Sequence, residues 1–194
     1  TGLRASRRIS HAFIMVVPTY PEPLIVTDAA VNIAPDLETK VDIVQNAIDL
    51  ARGLGIEQPR VAVLSAVEII NLKMATTCDA AILSKMADRG QIKGGLIDGP
   101  FALDNAISPE AARIKGIVSP VAGRANILLA PDLEAGNMLA KNLSFLANAD
   151  AAGIVLGARA PVILTSRADS VRTRMASCAV AALYAHSRRQ PAAA

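Results

Sequence analysis

One stretch decides the fold class: Pro161-Val-Ile-Leu-Thr-Ser-Arg-Ala-Asp-Ser170, in which a short apolar run leads directly into a polar turn. The apolar run predicts a buried strand, and a long helical pattern begins after Ser170. A hydroxyl (Ser166), a cation (Arg167) and a carboxylate (Asp169) thus follow the carboxyl end of a strand, where open α/β sheets place ligands. Unpaired N–H groups at the helix start favour an anion such as phosphate. The simpler alternative, a helix cap beside a surface cation, stays open.

Other apolar runs of strand length occur along the chain, and most are separated by helical patterns. The expected strands are 11–18, 23–27, 60–65, 94–97, 126–130, 152–156 and 162–165. This alternation predicts an α/β fold with three layers, α/β/α, in which helices cover both faces of a mainly parallel sheet. The first two strands are joined by the short segment 19–22, which predicts a hairpin and hence an antiparallel component.

Helical periodicity predicts helices near 37–51, 77–87 and 109–114, and two longer ones that begin after Asp132 and Ser170. Asp36 is placed to cap the first helix and Gly53 to end it. The last helix carries one apolar side, formed by Val171, Met175, Cys178 and Ala182. Cys78 and Cys178 both lie in apolar helical patterns, so buried free thiols are expected rather than a disulfide.

The composition narrows the class of protein. Of 194 residues 52% are hydrophobic but only 3% aromatic, which predicts a core of Ala, Val, Ile and Leu. The net charge of +3 and the absence of zinc-finger or RNP patterns argue against nucleic-acid binding. Apolar runs stay well below the roughly 20 residues that span a bilayer, and no signal peptide is recognisable, so a cytoplasmic protein without membrane contact is expected. Two histidines make a metal centre or a Ser-His-Asp triad improbable.

Two further segments hold candidate binding residues. Asp98, followed by Gly99-Pro100, comes after the strand predicted at 94–97, with Asp104 and Asn105 close behind. Turn chemistry alone is the favoured explanation of this segment, with a role in ordering a loop or touching a ligand as the alternative. Gly136 lies inside a helical pattern at a cost of about 1 kcal/mol relative to Ala, so close approach of a ligand or of backbone is expected there.

Five motifs together resemble the phosphate acetyl/butyryltransferase family, including members fused behind an enoyl-CoA hydratase domain. The resemblance covers about residues 6–188, and its motifs begin at Arg8 (RISHAF), Thr27 (TDAAVNIAPDL), Asp98 (DGPFALDNA), Asp132 (DLEAGN) and Ser166 (SRADS). It implies reversible transfer of an acetyl or short acyl group between coenzyme A and phosphate, which are substrates, with no tightly bound cofactor. It also implies an isocitrate/isopropylmalate dehydrogenase-like fold with two lobes around a cleft, and homodimers formed through the middle lobe.

The resemblance assigns roles to the polar turn. Ser166 would meet the coenzyme A thiol, Arg167 would hold phosphate, and Asp169 would be the base, although the family carries a longer insertion here. The candidate substrate-binding residues are Asp98, Asp104, Asn105, Gly136, Asn137 and Arg159.

The expected organisation has four parts: a basic lead-in at 1–10 from an absent N-terminal lobe, a middle dimerisation lobe at 11–150, a return to the cleft at 151–189, and a disordered tail at 190–194. Two alternatives stay open, a non-catalytic coenzyme A-binding or dimerisation fragment and a dehydrogenase on the related fold.

Overall fold

Strands form where the sequence has its aliphatic runs. A computed structural model describes residues 2–3 and 5–189, so the predicted tail at 190–194 lies outside the described residues. The strands in this part of the chain are β1 (Ser10–Val16), β2 (Leu24–Thr27), β3 (Arg60–Leu64), β4 (Leu96–Phe101), β5 (Ile127–Leu129), β6 (Asp150–Leu156) and β7 (Val162–Ile163).

These strands form one sheet in the order β4-β3-β5-β2-β1-β6-β7. The four strands from β4 to β2 run parallel, whereas β1 is antiparallel to both β2 and β6, and β6 is antiparallel to β7. The α/β class and the β1–β2 hairpin are therefore confirmed. The antiparallel component is larger than expected, because it accounts for three of the six strand pairings that the described residues make.

The direction of β7 corrects the expectation about where Ser166 lies. Three successive antiparallel pairings separate β7 from β2, so β7 runs opposite to the parallel strands. Ser166 does follow the carboxyl end of β7. Because β7 is reversed, its carboxyl end lies beside the amino ends of the parallel strands β2, β3, β4 and β5. The rule that ligands bind at the carboxyl ends of parallel strands presumes that all strands point the same way. Ser166 lies instead on the side of the sheet where the parallel strands begin.

The helices are α1 (Leu37–Gly53), α2 (Ala75–Asp88), α3 (Leu103–Ile107), α4 (Pro109–Ile114), α5 (Leu133–Phe145) and α6 (Val171–Ser187). Asp36 and Asp132 cap α1 and α5 as predicted, since each carboxylate accepts a hydrogen bond from the backbone N–H three residues on. Sequence analysis missed α3, because a helix of five residues is too short to show a 3.6-residue period. No helix among these residues is long and apolar enough to cross a membrane.

Two apolar clusters, one on each face of the sheet, confirm the three layers. One cluster joins the sheet to α1, α2 and α6, and the other joins it to α3 and α5.

The predicted apolar side of α6 is wrong as a core face. Val171 is 76% exposed, and Cys178 is exposed as well, whereas Ser177, Ala181 and Tyr184 face inward. The reason is close packing on β6, where the hydroxyl of Ser177 accepts a hydrogen bond from a strand N–H. Both cysteines are free, but the expectation of burial is wrong, since Cys78 is only half-buried.

Asp98 lies inside β4 rather than after a strand. The prediction ended that strand at 97 because Asp-Gly-Pro reads as a turn, but β4 continues to Phe101. Proline is tolerated here because β4 is an edge strand whose register with β3 shifts between the pairs Ala62–Asp98 and Leu64–Phe101, so Pro100 lies at an irregularity of the ladder.

Candidate active site

A cavity of about 300 Å³ lies between α5, the start of β6 and the turn that precedes α6. Apolar side chains such as Phe13, Ala140 and Phe145 form part of its wall. Its polar lining consists of Asn137, Lys141, Ser144, Asp150, Ser166, Asp169, Ser170 and Thr173. Three residues that sequence analysis named as candidates, Asn137, Ser166 and Asp169, therefore meet in one place.

The turn before α6 is held by its own hydrogen bonds. The backbone N–H of Ser166 donates to Oδ2 of Asp169 at 2.6 Å, and the N–H of Ala168 donates to Oγ of Ser166 at 3.3 Å. The cap of α6 is Ser170, whose Oγ accepts from the N–H of Thr173 at 3.1 Å. Asp169 is therefore not needed as the helix cap, and its half-buried carboxylate remains on the cavity wall.

The start of α6 gives this cavity a positive end. Ser170 and Thr173 line the cavity, so the first turn of α6 lies beside it, with the N–H of Thr173 capped by Ser170. A helix N-terminus carries about half a positive charge and favours anions. At the rim Arg172 pairs with Asp150 at 2.6 Å, although both side chains are largely exposed, so the pair adds little stability.

Helix α5 supplies the opposite wall. Asn137 and Lys141 lie four residues apart on one face, with Phe145 one turn further on. The side-chain amide of Asn137 donates to the carbonyl of Ala29 at 3.0 Å, which ties the wall to the loop after β2. Sequence analysis missed Lys141, and the signal that could have found it is its four-residue spacing from Asn137.

Arg167 and Arg159 lie outside the cavity. Arg167 is exposed, does not line the cavity and makes no ion pair within the described part of the chain. Arg159 is exposed too, and its backbone N–H donates to the carbonyl of Leu3.

The glycine in α5 serves close packing. A Cβ placed on Gly136 would lie 2.6 Å from the carbonyl oxygen of Asp28 and 3.2 Å from the Cα of Ala29. The close approach expected at Gly136 is therefore one of helix to backbone, and the residue does not line the cavity.

Asp98, Asp104 and Asn105 lie at the other end of the sheet, on or after β4. Asp98 accepts a hydrogen bond from the N–H of Gly99, and Asp104 pairs with Lys115 at 3.5 Å. Asn105 is fully buried, and its amide donates to Glu68. The fold thus separates these three candidates from the cavity by the width of the sheet.

His11 lies behind the cavity wall. It is fully buried, and its ring makes an edge contact with Phe13, with the ring centres 4.4 Å apart. Burial lowers the pKa of His11 below 6.5, and the nearby Asp28 carboxylate and Leu164 carbonyl partly oppose that shift. The imidazole is therefore neutral near pH 7. No group of three or more His, Cys, Asp or Glu side chains in the described ranges could hold a metal ion.

A family model and two curated relatives that match this chain carry phosphate acetyl- or butyryltransferase names. A family model described as phosphate acetyl/butaryl transferase matches residues 2–182. A phosphate acetyltransferase of Rhizobium meliloti is 69% identical over 189 residues, which cover 97% of this chain and 60% of that protein. A phosphate butyryltransferase of Clostridium acetobutylicum is 49% identical over 187 residues, which cover 96% of this chain and 62% of that protein.

A solved structure supports the same relationship. The branched-chain phosphotransacylase from Enterococcus faecalis V583 matches with a TM-score of 0.86 and 35% identity, over 95% of this chain and 66% of that one. The chain therefore spans about 60% of the length of the two curated relatives that it matches.

Proposed function

This chain belongs to the phosphate acetyl/butaryl transferase family, and we propose that it carries part of the site for reversible acyl transfer between coenzyme A and phosphate. The observation that carries the proposal is the cavity in which Ser166, Asp169 and Lys141 meet beside the start of α6. Family membership favours this function over the dehydrogenase alternative. No cofactor is needed for the reaction, since both ligands are substrates.

The chemistry fits the side chains in the cavity. In the direction that forms acyl-coenzyme A, the thiol sulfur attacks the acyl carbon of an acyl phosphate, the carbon–oxygen bond breaks, and phosphate leaves. Because a free thiol is mostly protonated at neutral pH, a base must take its proton. In this proposal the carboxylate of Asp169 accepts the proton and the hydroxyl of Ser166 orients the sulfur. Holding both substrates in line supplies much of the remaining acceleration.

Positive charge must stabilise the departing phosphate. Lys141 and the first turn of α6 offer it inside the cavity. We propose that Arg167 also binds the phosphate, because its guanidinium suits bidentate binding of oxyanions and it is adjacent to Ser166. Arg167 is exposed, so its guanidinium is accessible to a phosphate group. Arg159, Asn137, Gly136, Asp98, Asp104 and Asn105 remain predicted substrate-binding residues, of which only Asn137 lines the cavity.

The expected homodimer has a candidate surface at the β4 end of the sheet, which we call the β4-end patch. Val118 is 100% exposed and Leu72 is 89% exposed, and the patch also contains Ile69, Ile70 and Ile114. Lys115 bridges its two halves by pairing with Glu68 at 3.4 Å. Groups of large exposed apolar side chains are typical of protein interfaces, and a second copy bound there would leave the cavity free. The cytoplasmic location stays a prediction.

The acyl group is the least determined part of the proposal. Relatives named as acetyl- and as butyryltransferases are both similar to this chain. The apolar part of the wall, with Phe13 and Phe145, offers contact to a short alkyl group. Turnover of acetyl-CoA and butyryl-CoA should therefore be compared directly.

The test uses the polypeptide that contains this chain and follows phosphate-dependent release of free thiol from acetyl-CoA and butyryl-CoA. We expect Ser166→Ala and Arg167→Ala each to lower kcat/KM by roughly 100- to 1000-fold, because in this proposal Ser166 orients the thiol and Arg167 binds the phosphate. Lys141→Ala should cost about tenfold, since it removes one more charge near the phosphate. Arg89→Ala is the matched control, because Arg89 is an exposed arginine after α2, which packs on β4 at the end of the sheet away from the cavity.

Equal kinetics of Arg167→Ala and Arg89→Ala would overturn the role of Arg167. Calorimetric binding of coenzyme A without any turnover would instead favour the alternative, a coenzyme A-binding module, which the partial length of the chain keeps in view.

A further inference from the structure

His11 is a buried polar side chain without a hydrogen bond. Both of its ring nitrogens are inaccessible to solvent and have no hydrogen-bond partner among the described residues. An unpaired buried polar group costs about 1–3 kcal/mol, so such groups call for a specific explanation. Neither the fold nor the proposed chemistry uses the ring, and Phe13 separates it from the cavity.

One point on β6 brings this ring and β7 together. A Cβ placed on Gly153 would lie 2.5 Å from the carbonyl oxygen of Leu164 and 3.2 Å from Nε2 of His11. Both atoms therefore lie over the same glycine, and a larger residue there would push them away. Gly153 itself is held from α6, because its N–H donates to Oγ of Ser177 at 2.9 Å.

The polar turn that follows β7 has few other anchors. The register of β7 with β6 ends at Ile163, one residue before Leu164 and three residues before Ser166. The side chains of Val162, Ile163 and Leu164 are all exposed, so they make little contact with the core. The hydrogen bonds of the turn are internal, from Ser166 and Ala168 to residues of the same turn.

We propose that His11 is a positioning residue: its Nε2, packed over Gly153 beside the carbonyl of Leu164, carries a proton that this carbonyl attracts, and the ring thereby fixes the Ser166-Arg167 segment against the sheet. The inference rests on the proposed function of that segment. The ring is held from behind by Phe13, and the backbone N–H of His11 donates to the buried Asp28 carboxylate at 3.1 Å. The Asp28 carboxylate also opposes, in part, the lowering of the pKa of the ring that burial causes.

The experiment measures anchoring and catalysis separately, in the polypeptide that contains this chain. Peptide-level hydrogen exchange reports on 164–169, and steady-state kinetics report on acyl transfer. His11→Phe removes the donor but keeps an aromatic ring, Gly153→Ala displaces the carbonyl, and His11→Gln restores an N–H donor. His186→Gln is the matched control, because His186 is the other histidine of the chain and lies at the far end of α6.

We expect His11→Phe and Gly153→Ala to speed exchange at 164–169 at least tenfold, with little change in α1 or α5. Both should lower kcat by roughly ten- to a hundredfold, because a small displacement of a catalytic group is costly. The double variant should lose no more than either single one, since both break the same contact. His11→Gln should recover most of the loss, which a role in bulk packing would not produce.

Unchanged exchange at 164–169 in His11→Phe would overturn the anchor. Faster exchange with unchanged kcat would overturn the positioning role, since the mobility of the segment would then not matter. Absence of acyl transfer in the unaltered polypeptide would refute the proposed function instead, and the exchange data would still decide the anchor.

Discussion

The two ends of the sheet are built by different rules. At the β4 end, parallel strands lie between helices on both faces, and their aliphatic side chains are almost completely buried. At the β7 end, short antiparallel pairing leaves the last strand exposed, and the cavity opens beside it. Stability is therefore concentrated at one end, while the candidate active site lies at the other. The difference teaches that a candidate active-site turn can follow the least buried strand of the sheet.

The first prediction compares one substitution in both regions. Ile127 in β5 is 0% exposed, and Ile163 in β7 is 43% exposed. Ile127→Ala should lower the free energy of unfolding by about 2–5 kcal/mol, because it leaves a cavity between two helical layers. Ile163→Ala should cost less than about 1 kcal/mol, since little apolar surface is lost.

Urea denaturation at pH 7.5 measures both values. Equal losses for the two variants would contradict the contrast between the two ends.

The second prediction concerns the β4-end patch. Val118→Asp and Leu72→Asp place a charge in the proposed dimer interface, so each should weaken self-association on the order of 100-fold, about 2.7 kcal/mol. Light scattering after size exclusion measures the mass. Met175→Asp is the control, because Met175 is an equally apolar, exposed residue on α6 at the other end. A dimer that persists in both patch variants but dissociates in the control would move the interface to the β7 end.

The third prediction, with the smallest effect, is a pH dependence that originates at the β7 end. Because the folded-state pKa of His11 is lowered, the unfolded chain binds a proton first as the pH falls below 6.5. The stability that depends on neutral His11 is fully present above pH 6.5 and is lost as the pH falls towards the folded-state pKa. Between pH 7.5 and 5.5 unfolding should become easier by about 1 kcal/mol from this residue.

Thermal unfolding at both pH values measures the effect. His11→Phe should show a smaller change than the unaltered chain, whereas His186→Gln should keep it. An unaltered slope in His11→Phe would assign the acid sensitivity to other groups.

Much of the fold could be predicted from local patterns. Strand positions, the hairpin and the caps at Asp36 and Asp132 depend on residues close in sequence, where propensity and hydrogen bonding act directly. The direction of β7 could not be predicted this way, since it depends on pairing with β6 and on a short connection. The buried face of α6 could not be predicted from its apolar side for a similar reason. Packing on Gly153 selected the smaller residues Ser177 and Ala181, not the most hydrophobic ones.

In the candidate site too, local motifs could be recognised in the sequence, whereas long-range packing could not. Ser166 and Asp169 were recognisable because they follow a strand within one short motif. Their neighbour Lys141 comes from another helix and has no motif of its own, so its spacing from Asn137 is the one signal for it in the sequence. Asp98 looked equally promising, but its place inside an edge strand at the far end depended on long-range pairing with β3.

Pro100 has a consequence for how copies of this chain can assemble. Pro100 has no backbone N–H, and proline on an edge strand disfavours pairing with a strand of another molecule. We therefore expect β4 to be a poor template for extending the sheet between copies of this chain. Association of copies at this end is therefore expected to rely on side chains, such as the apolar ones of the β4-end patch, rather than on strand addition.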